Sequence, residues 1–124
     1  MLESVDITTL VAVSDIGEAR DFYEGKLRLA KVGEEPGWVQ FRSGTSDLIV
    51  YESEHAGSNS ATTAAWTVDD VEGTVAELKA SGMGSFEHYD LPGTTRDGDI
   101  HQAGEVKMAW FKDPSGNIFE INGR

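Results

Sequence analysis

The sequence predicts an α+β fold made of two copies of one βαβββ module. Three observations predict it. The run Ile7-Thr8-Thr9-Leu10-Val11-Ala12-Val13-Ser14-Asp15-Ile16 is echoed by Thr62-Thr63-Ala64-Ala65-Trp66-Thr67-Val68-Asp69-Asp70-Val71. The ends of the halves match as well, Asp47-Leu48-Ile49-Val50-Tyr51 against Asn117-Ile118-Phe119-Glu120-Ile121. Between these landmarks each half switches its apolar period from two to about 3.6 and back to two. A repeated unit of this size implies two supersecondary modules paired around a shared cleft.

The elements follow in order. Residues 5–13 alternate as a strand, with Val5, Ile7, Val11 and Val13 on one face and Thr8, Leu10 and Ala12 on the other. Asp15 is placed to cap a helix, with Glu18 completing a capping box. Ile16, Ala19, Phe22, Tyr23 and Leu27 then recur at helical spacing through residues 16–27. A short strand is expected near 29–33, and Glu35-Pro36-Gly37 is a turn. Residues 38–42 and 47–52 form a hairpin closed at 43–46.

Residues 55–60 are small and polar and read as the linker of a single domain, with module one at 1–54 and module two at 61–124. A strand at 62–68 leads to a second helix capped by Asp69 or Asp70, and Glu72 stands at box spacing from Asp69. Val71, Val75 and Leu78 are its apolar stripe, and Gly82 supplies its left-handed stop. A strand is expected at 84–88, then a hairpin of 106–112 and 118–122 around Asp113-Pro114-Ser115-Gly116-Asn117. The second copy is about fifteen residues longer than the first, and the excess falls within residues 89–104, a Gly-, Asp- and Thr-rich loop expected to act as a lid or cleft wall.

The chain has 124 residues, enough for one domain with a real core. No apolar run is long enough to span a bilayer, and the first residues lack the pattern of a signal peptide, so the expectation is a cytoplasmic protein that does not bind membranes. Ten basic and 22 acidic residues leave a formal charge of −12. That surface repels phosphate backbones, which argues against nucleic acid, and attracts cations. The absence of cysteine excludes disulfides, thiolate ligands and a Cys nucleophile.

The segment Asp15-Ile16-Gly17-Glu18-Ala19-Arg20-Asp21-Phe22-Tyr23 and the closing Trp110-Phe111-Lys112-Asp113-Pro114-Ser115-Gly116-Asn117-Ile118-Phe119-Glu120-Ile121 resemble the opening and closing motifs of the vicinal oxygen chelate superfamily. That superfamily includes glyoxalase I, extradiol dioxygenases, fosfomycin resistance enzymes and bleomycin resistance proteins. The resemblance covers nearly the whole chain except residues 89–104. It implies two βαβββ modules forming a curved mixed sheet around a cleft, helices outside, and a homodimer whose clefts are built partly from both chains. One such fold hosts many chemistries.

The resemblance also implies where a metal would sit: at Thr8, Val50, Thr63 and Glu120. A catalytic divalent metal takes about three His, Asp, Glu or Cys ligands. Only Glu120 qualifies here, so no metal and no other cofactor is expected. His55 lies in the linker; His88 and His101 flank or sit in the long loop, where they approach each other with Glu105 or are locally hydrogen-bonded or solvated.

Alternation assigns the inward faces. With Thr8 inward, so are Leu10 and Ala12; Trp38, Gln40 and Arg42; Leu48, Val50 and Glu52; Thr63, Ala65 and Thr67; Met108, Trp110 and Lys112; Ile118, Glu120 and Asn122. Phe41, Phe111 and Trp66 then pack beneath the helices. The expected ligand-binding set is Thr8, Trp38, Gln40, Val50, Glu52, Thr63, Met108, Trp110 and Glu120: aromatic walls, neutral hydrogen bonds and negative charge, suited to a planar or cationic organic ligand. The resulting expectation is a metal-free small-molecule binding protein similar to the bleomycin resistance branch, with the 89–104 loop closing over its ligand. The alternative is a lyase, isomerase or dioxygenase using Glu120 as a metal ligand or general base.

Overall fold

A computed structural model describes all residues, Met1–Arg124. The fold is α+β, with one four-stranded and one five-stranded mixed sheet, each backed by a helix. The chain divides into two compact units: Met1–Asn59 with Pro114–Asn117, and Ser60–Asp113 with Ile118–Arg124.

In the first unit, β1 (Thr9–Val13) leads to α1 (Ile16–Arg20), which runs on into a π-helical turn, Asp21–Lys26. Asp15 caps α1 as its spacing predicts, its Oδ1 accepting the Glu18 N–H at 2.9 Å. The turn is closed when the Leu27 N–H donates to the Phe22 carbonyl, and Arg28 then takes a left-handed φ of 60°. β2 (Ala30–Glu35), β3 (Trp38–Ser43) and β4 (Ser46–Glu52) follow. The sheet order is β1-β4-β3-β2, with β1 parallel to β4 and the other pairs antiparallel.

Tyr23 stacks on Phe41 with ring centroids 5.8 Å apart, which places Phe41 on the helix side of the sheet. Register carries that side across the strands: Phe41 lies opposite Leu48, Val39 opposite Val50, and Val50 beside Val11. Val11, Val13, Val39, Phe41, Leu48 and Val50 are all buried and form this unit's core with Ala19, Phe22 and Tyr23. Burying each of the Val, Leu and Phe side chains among them contributes about 1.5–3 kcal/mol.

This register corrects one strand. β1 and β3 face as alternation predicts, but β4 is reversed: Asp47, Ile49 and Tyr51 share the face of Leu10, Ala12, Trp38 and Gln40, while Leu48, Val50 and Glu52 are turned to the helix side. A one-residue error of register inverts a whole strand. Here Leu48-Ile49-Val50 is apolar throughout, so alternation had no contrast to read. Residues 5–8, expected to begin the first strand, lie outside β1 and are exposed.

In the second unit, β5 (Thr62–Thr67) precedes α2 (Val71–Ala80). Of the two candidate caps the chain uses Asp70, whose Oδ1 accepts the Gly73 N–H at 3.0 Å. Gly82, at φ 96°, ends the helix, its N–H donating to the Lys79 carbonyl. Residues 84–88 form no strand; only Glu87 bridges, to Trp110. Residues 89–104 are not one irregular loop either. They contain a hairpin, β6 (Thr95–Asp97) and β7 (Ile100–Ala103), which extends the sheet. β8 (Val106–Lys112) and β9 (Ile118–Gly123) complete the order β5-β9-β8-β7-β6, with β5 parallel to β9. Phe111 and Phe119 stack at 5.6 Å and Trp66 lies against both, on the face shared with Ala109 and Ile121, as expected for the helix side. No helix is long and apolar enough to cross a membrane.

Candidate functional site

In the first unit, the face opposite the helix carries Leu10, Ala12, Trp38, Gln40, Arg42, Asp47, Ile49 and Tyr51. Leu10 is 60% exposed and Tyr51 39%. Gln40 is already engaged: its Nε2 donates to Asp47 Oδ2 at 2.8 Å, and Arg42 Nε donates to Asp47 Oδ1 at 2.8 Å. The Arg42 and Gln40 donors hold the Asp47 carboxyl below its ordinary range. Arg42 thus neutralises Asp47. Thr8 precedes β1 in a small cavity of about 200 Å³ with Asp6, Ile7, Thr45, Ser46 and Asp47.

Val50 is 0% exposed and locked between Val11 and Val39, so it presents nothing to that face. Glu52 is exposed at the end of β4 and lines a separate cavity of about 450 Å³ with Ser14, Ser53, Glu54 and Ala56.

In the second unit, Glu120 lies on β9 between Ala65 of β5 and Trp110 of β8. Ala65, Thr67, Met108, Trp110, Lys112, Ile118, Glu120 and Asn122 share the face opposite Phe111 and Phe119, as alternation predicts. The β5–β9 pairing skips from Thr62 to Ala64, leaving Thr63 in a bulge without a register partner on β9. A short relay fixes the acid. Thr67 Oγ1 donates to Asn122 Oδ1 at 2.7 Å, and Asn122 Nδ2 donates to Glu120 Oε2 at 2.5 Å. Glu120 is therefore oriented by Asn122 rather than by a threonine of the expected metal set.

Trp110 is buried and edge-on to two rings, His101 at 4.8 Å and Tyr89 at 5.3 Å. His101 sits on β7 opposite Met108, on the Trp110 face, and is 0% exposed. Its Nε2 accepts the Tyr89 N–H at 2.9 Å. Burial, then the nearby Glu87 carboxylate, raises the Tyr89 phenol above its usual range. His88 instead meets Asp99 at 2.7 Å, and Lys79 also contacts Asp99. Glu105 lies 3.9 Å from Arg124 and His55 3.8 Å from Glu54. His88, His101 and Glu105 thus each have their own local surroundings, and no cluster of three or more His, Cys, Asp or Glu fit to hold a metal ion occurs in the chain. With Val50 in the core and one carboxylate among four expected positions, the donor set does not fit a catalytic metal.

Sequence reasoning passed over Tyr89 and His101 as site residues. The signal for His101 was present: Gly98-Asp99 is a two-residue hairpin turn, Gly98 has φ 61°, and alternation from that turn through β7 and β8 places His101 with Met108 and Trp110.

The family described as Glyoxalase/Bleomycin resistance protein/Dioxygenase superfamily matches residues 6–121. Among solved structures, the antibiotic binding protein TnmS3 from Streptomyces sp. CB03234 is similar at 23% identity and a TM-score of 0.71, covering 99% of this chain and 98% of its own. The bleomycin resistance determinant encoded on transposon Tn5 aligns at 18% identity and a TM-score of 0.71, covering 98% of each chain. A lactoylglutathione lyase from Agrobacterium tumefaciens aligns at 20% identity and a TM-score of 0.70, covering 99% of this chain and 96% of its own. At these identities the likeness is one of fold. No curated protein matches by sequence.

Proposed function

This chain belongs to the Glyoxalase/Bleomycin resistance protein/Dioxygenase superfamily, and from that premise we propose that it captures a planar or cationic organic molecule without transforming it. The observation that carries this reading is Glu120: a carboxylate oriented by Asn122, opposite a large aromatic side chain, Trp110, in a chain whose donors do not fit a metal. Such a pair meets a flat cation by charge and by stacking. The net charge of −12 raises the local concentration of cations. Met108, on the same sheet face as Trp110 and Glu120, is a further contact. The likeness in fold to a named antibiotic binding protein and to a bleomycin resistance determinant supports capture as the role.

The protein works in the cytoplasm as a homodimer, and the exposed Leu10 and Tyr51 give the first unit's sheet an apolar face for a partner copy to cover.

Titration with proflavine, a flat tricyclic cation, followed by tryptophan fluorescence tests the capture. Saturable binding is expected, weakened about tenfold by Glu120→Gln, the size of one charge-assisted contact. Affinity unchanged by that substitution removes the electrostatic part. Stoichiometric nickel, zinc, manganese or iron in the purified protein, with turnover of an added substrate, overturns capture in favour of catalysis. Light scattering at a monomer mass overturns the dimer.

A further inference from the structure

Three buried side-chain polar atoms lack a hydrogen-bond partner: Arg20 Nε, His101 Nδ1 and Tyr89 Oη. Two of the three belong to one ring cluster. Tyr89 and His101 lie 6.3 Å apart, and both pack edge-on against Trp110. A buried polar group without a partner is costly, so two within one ring cluster mark a place where something else is meant to bind.

The chemistry of that something follows from the protons. His101 Nε2 accepts the Tyr89 backbone N–H. In a neutral imidazole the ring proton is then on Nδ1, which makes the unpartnered atom a donor. The Tyr89 phenol holds its proton more firmly than usual, because burial disfavours the phenolate. Both orphan groups therefore offer hydrogens, and the complement is an oxygen with two lone pairs. The surroundings are aromatic, so the oxygen belongs on a flat ring system.

Tyr89 lies on residues 88–94, which join no strand ladder, and it lines a surface cavity of about 240 Å³ with His88, Asp90 and Arg96. The same residue thus borders solvent and donates its N–H to His101.

We propose that Tyr89 and His101 form a two-donor subsite that takes the ring carbonyl oxygen of a planar aromatic ligand, with Trp110 as the adjoining ring surface. This rests on the capture reading and deepens it. It names a neutral acceptor group on the ligand where Glu120 addresses charge. The subsite belongs wholly to the second unit, on the sheet face of Glu120.

The test uses the full chain and two neutral probes: xanthone, a flat tricycle with one ring carbonyl, and xanthene, which lacks it. Xanthone is expected to bind about tenfold more tightly than xanthene, the equivalent of one well-made hydrogen bond to a desolvated donor pair. Tyr89→Phe keeps the backbone N–H that serves His101 and should bring xanthone towards the xanthene value while leaving xanthene unchanged. Long-range proton–nitrogen NMR on the unmodified chain, which needs no variant to fold, should show the His101 proton on Nδ1 and a downfield shift of it with xanthone alone. Equal affinities for the two probes, or a Tyr89→Phe effect on both alike, overturn the subsite, and a trapped water then accounts for the orphan donors. Should proflavine bind while xanthone and xanthene do not differ, only the subsite fails. Should none of the three bind, capture fails and the subsite with it.

Discussion

Asn117 Nδ2 donates to the Ala12 carbonyl at 2.7 Å, across 105 residues of chain. Beside it, the Ser14 N–H donates to Ser115 Oγ at 3.0 Å. The Asp-Pro-Ser-Gly-Asn turn is thus fastened to the end of β1. This explains why a motif that identifies the fold so well says nothing about chemistry: its polar residues are occupied in holding backbone.

Replacing Asn117 by Ala removes the donor and leaves a carbonyl of β1 without this partner in a poorly solvated place, since Asn117 is only 7% exposed. The expected loss is about 1–3 kcal/mol of stability, read as a lower urea midpoint with unchanged slope. Asn117→Asp should cost at least as much, because a carboxylate would face the carbonyl. A midpoint unchanged in both would contradict the role.

Gly57 cannot carry a side chain. A Cβ there would stand 1.9 Å from the Ser115 carbonyl oxygen, and φ is 69°. Gly57→Ala is expected to destabilise by about 3 kcal/mol or more, because backbone must move to accept it. Gly98→Ala is the control. Its φ is 61° but nothing lies within 4 Å, so only the left-handed penalty of about 1–2 kcal/mol applies. Equal losses at the two sites would show that the contact with Ser115 is not what matters.

Arg28 is the one residue other than glycine with positive φ, at 60°, where the chain leaves the π-helical turn. Its side chain is exposed. Arg28→Gly relieves the left-handed strain at little packing cost and should raise stability by about 1 kcal/mol, less the entropy glycine adds to the unfolded chain. Thermal unfolding checks the sign; a lowered midpoint would mean that the guanidinium contributes more than the strain removes.

Asp99 is held below its ordinary pKa by hydrogen bonds from Lys79 first and His88 second. A carboxylate with a depressed folded-state pKa contributes its full stability above the unfolded value of about 3.9 and loses it as pH falls through the folded value. Asp99→Asn should therefore be less stable than the parent at pH 7, and the difference should shrink below pH of about 4. A gap constant between pH 7 and pH 3 would assign the effect to packing alone.

The elements that alternation or capping could address were legible in the sequence. Asp15 as the cap of α1, the stripe of Val71 and Val75, and the hairpin of β8 and β9 all lie where their residue patterns put them. What was hidden had physical reasons. β4 is apolar on consecutive positions, so its face had to be learned from Val39 and Val11. Thr63 falls in a bulge that nothing local announces. Asp70 prevailed over Asp69 as cap although the box spacing favoured the latter. His101 was taken for a loop residue because the Gly98-Asp99 turn sits between strands of only three and four residues, too short to show a period.

The assignment of Pro114–Asn117 to the first unit, with both flanking strands in the second, means the polypeptide visits one body, leaves it, and returns to it before finishing in the other. Cutting the gene after Asn59 would therefore not yield two self-sufficient products. The leading fragment would lack the four-residue clasp on β1, and the trailing fragment would carry that clasp with nothing to grip. Repetition at the level of sequence has here become interdependence at the level of folding.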